Sequence, residues 1–388
     1  MKIILAPDSF KGCLTAADVC KALASGIYSV MPDARVIHLP MADGGEGTAA
    51  ALISASGGSM RFINVTGPTG SIVEAFYGVL PHDPGTQTAV IEIAAAAGLS
   101  LVPVEKRDPA ATTTYGVGEL IKAAIVEGIR DFIIGIGGSA TNDCGCGMMQ
   151  ALGVRFLDFN ACELKSPVTG GMLGQVGSID IRDIDPALRE STFVIACDVE
   201  NPLLGPQGAT YMYAGQKGAD DAAKVRLEAN MCHIIELIEQ AAGRAVRNNS
   251  GAGAAGGIGA ALMAFLNAVM RPGIDLVMSY TGFRKHLSGA DLVITGEGCF
   301  DRTSSYGKVV TGVAQEAGKF GIPVVVIAGG IGEGADIMNN RGVTAYFSIC
   351  SRPMSLEQAQ KNAVQLISIT AEQIVRLLLP FRKESPSK

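Results

Sequence analysis

The sequence predicts an α/β protein in which a parallel-sheet domain is assembled from both ends of the chain and a mixed α/β domain is inserted between them. In the first and last thirds, short aliphatic runs (3–6, 35–39, 291–295 and 324–328) each stop at Gly, Pro or Asp and give way to a helical pattern, the βα rhythm that yields parallel strands. Between 60 and 104 the rhythm changes. The runs 61–65, 73–79 and 89–93 are separated by the turn-forming stretches GPTGS and PHDPGTQ, which read as antiparallel strands joined by turns. At 388 residues, 48% apolar and 18% charged, the chain is globular in composition and long enough for two cores. These changes of rhythm place residues 1–66 and 281–388 in one discontinuous domain and 67–280 in the insert, with a cleft between the two as the expected ligand site.

Along the chain, the strand at 3–6 ends before Pro7, leaving Asp8 and Ser9 at its C-terminal tip. A helix over 15–31 follows, with Thr15 able to cap it and Asp18 in its first turn. Further helices are expected at 116–127, about 142–152, 219–242, 253–270 and 308–320, and strands at 132–136 and 193–196. The uncharged stretch SGAGAAGGIGAALMAFLNAVM (250–270) has nearly the length of a membrane span. Five glycines and Asn267 dilute it, so it reads as a buried helix that lets another backbone or a ligand come close. The polar tail 382–388 is expected to fray.

A net charge of −6 with no Lys/Arg stripe excludes a nucleic-acid partner. Nine cysteines without a C-x-x-C pair read as reduced thiols, and the apolar run ahead of Pro7 is too short for a signal segment, so a cytoplasmic protein off the membrane is expected. Cys144-Gly-Cys146 fits no zinc spacing, and Cys197 reads as a packed small hydrophobe. None of the four histidines lies in a glycine-rich loop, which disfavours a His-based triad.

Seven carboxylates sit at predicted loop tips: Asp8, Asp43, Glu46, Asp143, Asp198, Glu297 and Asp301. Singly, each also fits an ordinary helix N-cap. If several share a cleft, they cannot all ionise without a cation, and hard oxygen ligands of this kind suit Mg²⁺ shared with substrate phosphates. Lys11, Lys217 and Lys308 lie in the same loops as point charges for a phosphate or carboxylate. Gly137, Gly138 and Ser139, ahead of a helix starting near Asn142, form a candidate phosphate cradle. No Walker motif is present, since Gly307-Lys308 is followed by Val309. The residues 135–140 (GIGGSA) fit a relaxed dinucleotide pattern, with Asp158 at about the right distance. The residues alone thus lead to Mg²⁺-dependent phosphoryl transfer without a P-loop.

The motifs APDSFKG (6–12), ADGGEGT (42–48), IGIGGSATND (134–143), ACDVENPL (196–203), GAGAAGGIGAALMAFL (251–266) and VITGEG (293–298) occur in an order and over a span that resemble the bacterial glycerate kinase family of the 2-kinase type. The resemblance implies a transferase: ATP-dependent phosphorylation of D-glycerate, an organic acid, to 2-phosphoglycerate, in a Rossmann-like domain formed by both termini plus an inserted domain. It adds Ser9, Gly44, Gly45, Asn142, Asn201 and Gly296 to the binding residues. Within it, Asp8 and Asp301 are expected to hold Mg²⁺, Asp198 or Asp8 to act as base, and Lys11 to act on the reacting anions. The chain departs from the family pattern in three places: Ala214-Gly215 in place of Gly-Pro, Cys299-Phe300 in place of Arg-Ile, and Cys144 in place of Gly. Two other classes stay open, an NAD(P)-dependent hydroxy-acid dehydrogenase and a non-catalytic metabolite sensor on the same fold. The oligomeric state is also left open, a homodimer included.

Overall fold

The computed structural model describes residues 1–82, 85–305 and 309–381; Lys308 and the 382–388 tail lie outside them. The chain divides into two compact units, Met1–Asp43 with Ile274–Lys388 (unit 1) and Gly44–Gly273 (unit 2).

Unit 1 begins with β1 (Lys2–Leu5), α1 (Ala16–Val30) and β2 (Arg35–His38). Thr15 caps α1 as expected, its side chain accepting from the Asp18 amide at 3.2 Å. The chain then enters unit 2 with α2 (Thr48–Ser56), β3 (Ser59–Thr66), β4 (Ile72–His82), β5 (Thr86–Glu92), α3 (Ala94–Ala97), α4 (Tyr115–Val126) and β6 (Asp131–Gly135). It continues through α5 (Cys146–Ala151), the hairpin β7 (Arg155–Asp158) and β8 (Val176–Asp180), then β9 (Thr192–Ala196), α6 (Ala209–Tyr213), α7 (Asp221–Ala242), α8 (Ala254–Leu266) and β10 (Val269–Arg271). After α9 (Gly273–Thr281) and α10 (Phe283–Leu287), unit 1 is completed by β11 (Leu292–Phe300), α11 (Val309–Gly318), β12 (Val324–Ile331), β13 (Ala345–Ser348), α12 (Leu356–Lys361) and α13 (Ala363–Leu378).

Unit 1 holds an all-parallel sheet in the order β13-β12-β11-β1-β2. From β1 the chain steps outward to β2, then returns on the other side of β1 to β11 and steps outward again. The strand order therefore reverses between β1 and β11, a topological switch point. Ile3, Leu5, Leu292, Ile294 and Ile327 form the apolar layer beneath Val19, Leu23 and Ile27 of α1 and Ile367, Ala371 and Ile374 of α13. Those two helices meet at Gly26, where a Cβ would stand 2.0 Å from the Ser368 carbonyl oxygen.

Unit 2 holds a six-stranded sheet in the order β10-β9-β6-β5-β4-β3. Its hairpins β3–β4 and β4–β5 are antiparallel as the turn signals imply, whereas β5 pairs in parallel with β6, then β6 with β9 and β9 with β10. Ile91, Ile134 and Ile195 align across three adjacent strands, and Phe132 stacks on Phe193 at 4.7 Å. The α/β class and the parallel-sheet domain drawn from both termini agree with the sequence-based expectation.

Several boundaries differ from it. The first division falls after Asp43 rather than at 66, because β3 is paired with β4 along its whole length. The second falls at Gly273 rather than 280. The helix expected from 142 starts at Cys146, and the one expected over 253–270 ends at Leu266 before the short strand β10. Inside α8, Ala255, Gly256 and Gly257 have left-handed φ angles that kink the backbone. A Cβ on Gly256 would lie 2.0 Å from the Thr141 carbonyl oxygen, so the small residues there admit another backbone segment of the same unit. Among the described residues no helix is long and apolar enough to cross a membrane.

Candidate active site

In unit 1 a cavity of about 620 Å³ opens at the C-terminal ends of the strands, the place where open parallel sheets bind ligands. Asp8, Ser9, Phe10 and Lys11 enter it from the end of β1, Glu297, Cys299 and Asp301 from the end of β11, and Gly329 and Gly330 from β12. Asp43 completes the acidic end, while Ile349, Met354, Leu356, Ala359 and Ala363 form an apolar wall. Five sequence-predicted residues of the acidic group (Asp8, Lys11, Asp43, Glu297, Asp301) are thus brought together, with Ser9 beside them and the Gly296 carbonyl accepting from the Asp8 amide at 2.8 Å.

Asp8 is 7% exposed, and its pKa is raised to about 7, first by burial and then by the like charge of Asp43, with Glu297 adding to it. The Ser9 amide, which donates to Asp8 Oδ1 at 2.7 Å, and the Lys11 ammonium pull the other way. Lys11 Nζ lies 3.8 Å from Asp43 Oδ2, and at 64% side-chain exposure this pair adds little to stability. Its value is a cation at the rim of an acidic cavity.

The remaining predicted residues belong to unit 2 and lie near the C-terminal ends of its parallel strands. Gly44 packs against the Ala196 carbonyl, Gly45 against Gly137, and Glu46 is exposed. Gly137, Gly138 and Ser139 follow β6, and Asp198 follows β9, its Oδ1 accepting from the Gly273 amide at 3.0 Å. Asn201 is engaged locally, donating to the Gln207 carbonyl and accepting from the Tyr213 hydroxyl.

Three residues expected to meet a ligand are placed as braces instead. Asp143 is fully buried: one oxygen accepts from the Thr114 amide (2.8 Å), the Thr114 hydroxyl (2.7 Å) and the Gly147 amide, and the other from the Gly145 amide. Burial raises its pKa against those donors. Asn142 is equally buried, donating to the Thr210 hydroxyl. Lys217, 2% exposed, donates to Ser139 Oγ at 2.8 Å and to the Thr141 carbonyl at 2.7 Å, and desolvation pulls its pKa down to about 7 although Asp143 opposes the shift. It holds the 139–141 loop from below. Cys144 and Cys146 are buried thiols whose pKa burial raises, which fits their reading as packing residues.

Two features escaped the sequence. Glu92, 3% exposed at the end of β5, accepts from the Ala49 amide at 2.7 Å and the Gly47 amide at 3.2 Å, fixing the glycine loop at the start of α2. A single acid inside the apolar run AVIEIAAAA was the available signal. The apolar wall from α12 was missed because the segment after β13 carries no glycine-rich loop.

The dinucleotide reading of 135–140 does not hold. Asp158, which would bind the ribose, ends the first strand of the antiparallel hairpin β7–β8, where its Oδ1 accepts from the Asn160 and Cys162 amides, each at 2.8 Å. It closes its own turn rather than standing at the tip of a neighbouring parallel strand.

Residues 3–379 match the model of the glycerate kinase family. The chain belongs to the glycerate kinase family. It is 44% identical over 378 residues to a protein of Escherichia coli strain K12 named glycerate 2-kinase, covering 97% of this chain and 98% of that one. To a glycerate kinase of Bacillus subtilis strain 168 it is 46% identical over 374 residues, 96% of this chain and 97% of the relative. A crystal structure from Salmonella typhimurium LT2, provisionally described as glycerate kinase 2, superposes with a TM-score of 0.86 at 42% identity, covering 98% and 99% of the two chains. Kinase membership of this strength leaves the dehydrogenase alternative without support.

Proposed function

We propose that the chain catalyses ATP-dependent phosphorylation of D-glycerate to 2-phosphoglycerate, with Mg²⁺ as the metal. The observation that carries this reading is the cluster of Asp8, Asp43, Glu297, Asp301 and Lys11 at the switch point of unit 1, in a chain of this family. Burial first, and then the like charge of Asp43, push Asp8 up to about 7, and a divalent cation would relieve both by favouring the ionised carboxylate. Among the described residues no three ligating side chains form a ready-made metal site. Mg²⁺ takes one or two carboxylates and fills its shell with waters and substrate phosphates, so it needs no such set. Asp8 and Asp301 would hold it, where it would neutralise charge developing on the transferred group.

In the reaction, a hydroxyl oxygen of glycerate attacks the γ-phosphorus in line, the bond to the ADP oxygen breaks, and the hydroxyl proton passes to a carboxylate. We assign that proton to Asp198 and the neutralisation of a phosphate or carboxylate oxygen to Lys11. Gly137, Gly138 and Ser139, braced by Lys217, are the proposed anion cradle of unit 2. Lys308 stays a sequence-based candidate. A cation held close to the glycerate carboxylate fixes the adjacent 2-hydroxyl in attack geometry, and positioning outweighs the easier access of the primary 3-hydroxyl. We also place the chain in the cytoplasm, a reading supported by nine cysteines without a C-x-x-C pair.

Coupled detection of ADP tests the activity, and absence of ADP release with glycerate present would leave only the sensor reading. Coupling the product to enolase with and without phosphoglycerate mutase tests the position: signal without mutase is expected, and signal only with mutase would mean 3-phosphoglycerate.

A further inference from the structure

The cavity of unit 1 has two chemically different halves. One is acidic, with Lys11 as the cation at its rim. The other is a wall of Phe10, Ile349, Met354, Leu356 and Ala359, to which glycerate, a three-carbon hydroxy acid with almost no apolar surface, has nothing to offer. Its volume of about 620 Å³ lies in the range of sites for nucleotide-sized ligands. Leu356 opens α12 and stays 74% exposed although it lines this cavity, so the wall is accessible from solvent and available for a flat ring. The capping box of Ser355 and Gln358 fixes the first turn of α12 and with it the position of that leucine.

We propose that this apolar wall is the seat of the purine ring of the phosphoryl donor, with the donor's phosphates directed to the Lys11 and carboxylate end of the same cavity. The inference rests on the kinase reading above and adds to it which substrate the unit 1 cavity takes. A bare hydroxy acid would meet several carboxylates and one cation there. A nucleotide chelating a divalent cation brings its own positive charge to the acidic half and its base to the apolar half.

The experiment compares the binding of Mg–ADP and of Mg–tripolyphosphate, which keeps the phosphates and lacks the base, by calorimetry on the full chain. Two variants are used: Leu356→Asp, at an exposed position, and Ala359→Trp, which fills the wall; circular dichroism and melting confirm that both fold. Loss of a leucine contact or blockage of the ring's position is expected to raise the Kd for Mg–ADP about tenfold, with the tripolyphosphate Kd and the KM for glycerate unchanged. An unchanged Mg–ADP Kd in both folded variants overturns the proposal, as does an equal weakening of tripolyphosphate or a rise confined to the glycerate KM. A wild-type chain that binds Mg–ADP but releases no ADP from ATP and glycerate would overturn the kinase reading alone, and the binding comparison would still decide the seat of the base.

Discussion

Replacing Asp8 by asparagine separates what the acidic cavity contributes to chemistry from what it takes from stability. The carboxyl is buried, and its folded-state pKa stands at about 7 against an ordinary 3.8. Well below pH 3.8 it is protonated in folded and unfolded chains alike and contributes no pH-dependent term. As pH rises from 4 to 7, the unfolded chain releases the proton while the folded chain retains it, so stability falls, and above 7 the full penalty is present. The gap from 3.8 to about 7, at about 1.36 kcal/mol per pH unit, sets an upper limit of ~4 kcal/mol. Relaxation and water entry reduce it, and about 2 kcal/mol corresponds to a rise of about 4–8 °C in Tm for a unit of this size. Asparagine keeps the oxygen that accepts from the Ser9 amide, so the local turn survives. Asp8→Asn is therefore expected to lose turnover yet melt higher than wild type at pH 8, with the difference vanishing near pH 4. Millimolar Mg²⁺ should narrow the pH 8 difference by stabilising wild type alone. The assay is thermal unfolding from pH 4 to 8 beside coupled ADP release. A variant no more stable than wild type at pH 8, or a difference that persists unchanged to pH 4, would refute the burial-and-repulsion account of this site.

Asp198→Asn should keep its fold and lower kcat by about two to four orders of magnitude, the usual worth of a general base; near-normal turnover would remove the residue from that role. Lys217→Met, which cuts the links to Ser139 Oγ and the Thr141 carbonyl, should speed hydrogen exchange over 137–145 and lower kcat at least about tenfold. Its stability profile carries a second mark: with the lysine at about 7 instead of 10.5, the unfolded chain binds more protons over that window, so wild-type stability rises with pH there and the methionine variant should lose that slope. Gly256→Ala should destabilise unit 2 by roughly 3 kcal/mol or more in urea titration, because the new methyl group meets the Thr141 oxygen at 2.0 Å in a left-handed backbone.

The parallel sheet of unit 1 was legible because each of its first four strands is a β-branched run stopped by Pro, Gly or Asp, a local signal that tertiary packing has no reason to override. The acidic group was legible for the same reason, since Asp8 and Asp301 stand just past such stops. The hairpin β7–β8 was not, because Arg155–Asp158 and Val176–Asp180 are short and separated by a long irregular loop. That Asn142, Asp143 and Lys217 are buried against partners in their own unit was illegible for a different cause. Polar residues in a glycine-rich loop look alike in sequence whether they face a cavity or the underside of their own loop. Only the partners decide: the Thr114 hydroxyl is remote from Asp143 along the chain, and Lys217 lies 78 residues from Ser139. The helices α12 and α13 went unmarked, though the amphipathic pattern of Ala363–Leu378 was there to be read.

The position of β1 between β2 and β11 has a consequence for how the molecule is made. Ala6 accepts a hydrogen bond from the Thr295 hydroxyl, 289 residues further on. At about 5–20 residues per second of synthesis, the first strand waits roughly 15–60 s for that neighbour. Unit 2, whose segments lie together from Gly44 to Gly273, is synthesised in the meantime. A ribosome-bound chain halted once residue 273 has left the exit tunnel should therefore carry a folded unit 2 and an N-terminal arm whose strand has an open edge. That arm is the species a holdase would shield, and no acidic cavity exists until both ends of the polypeptide have emerged.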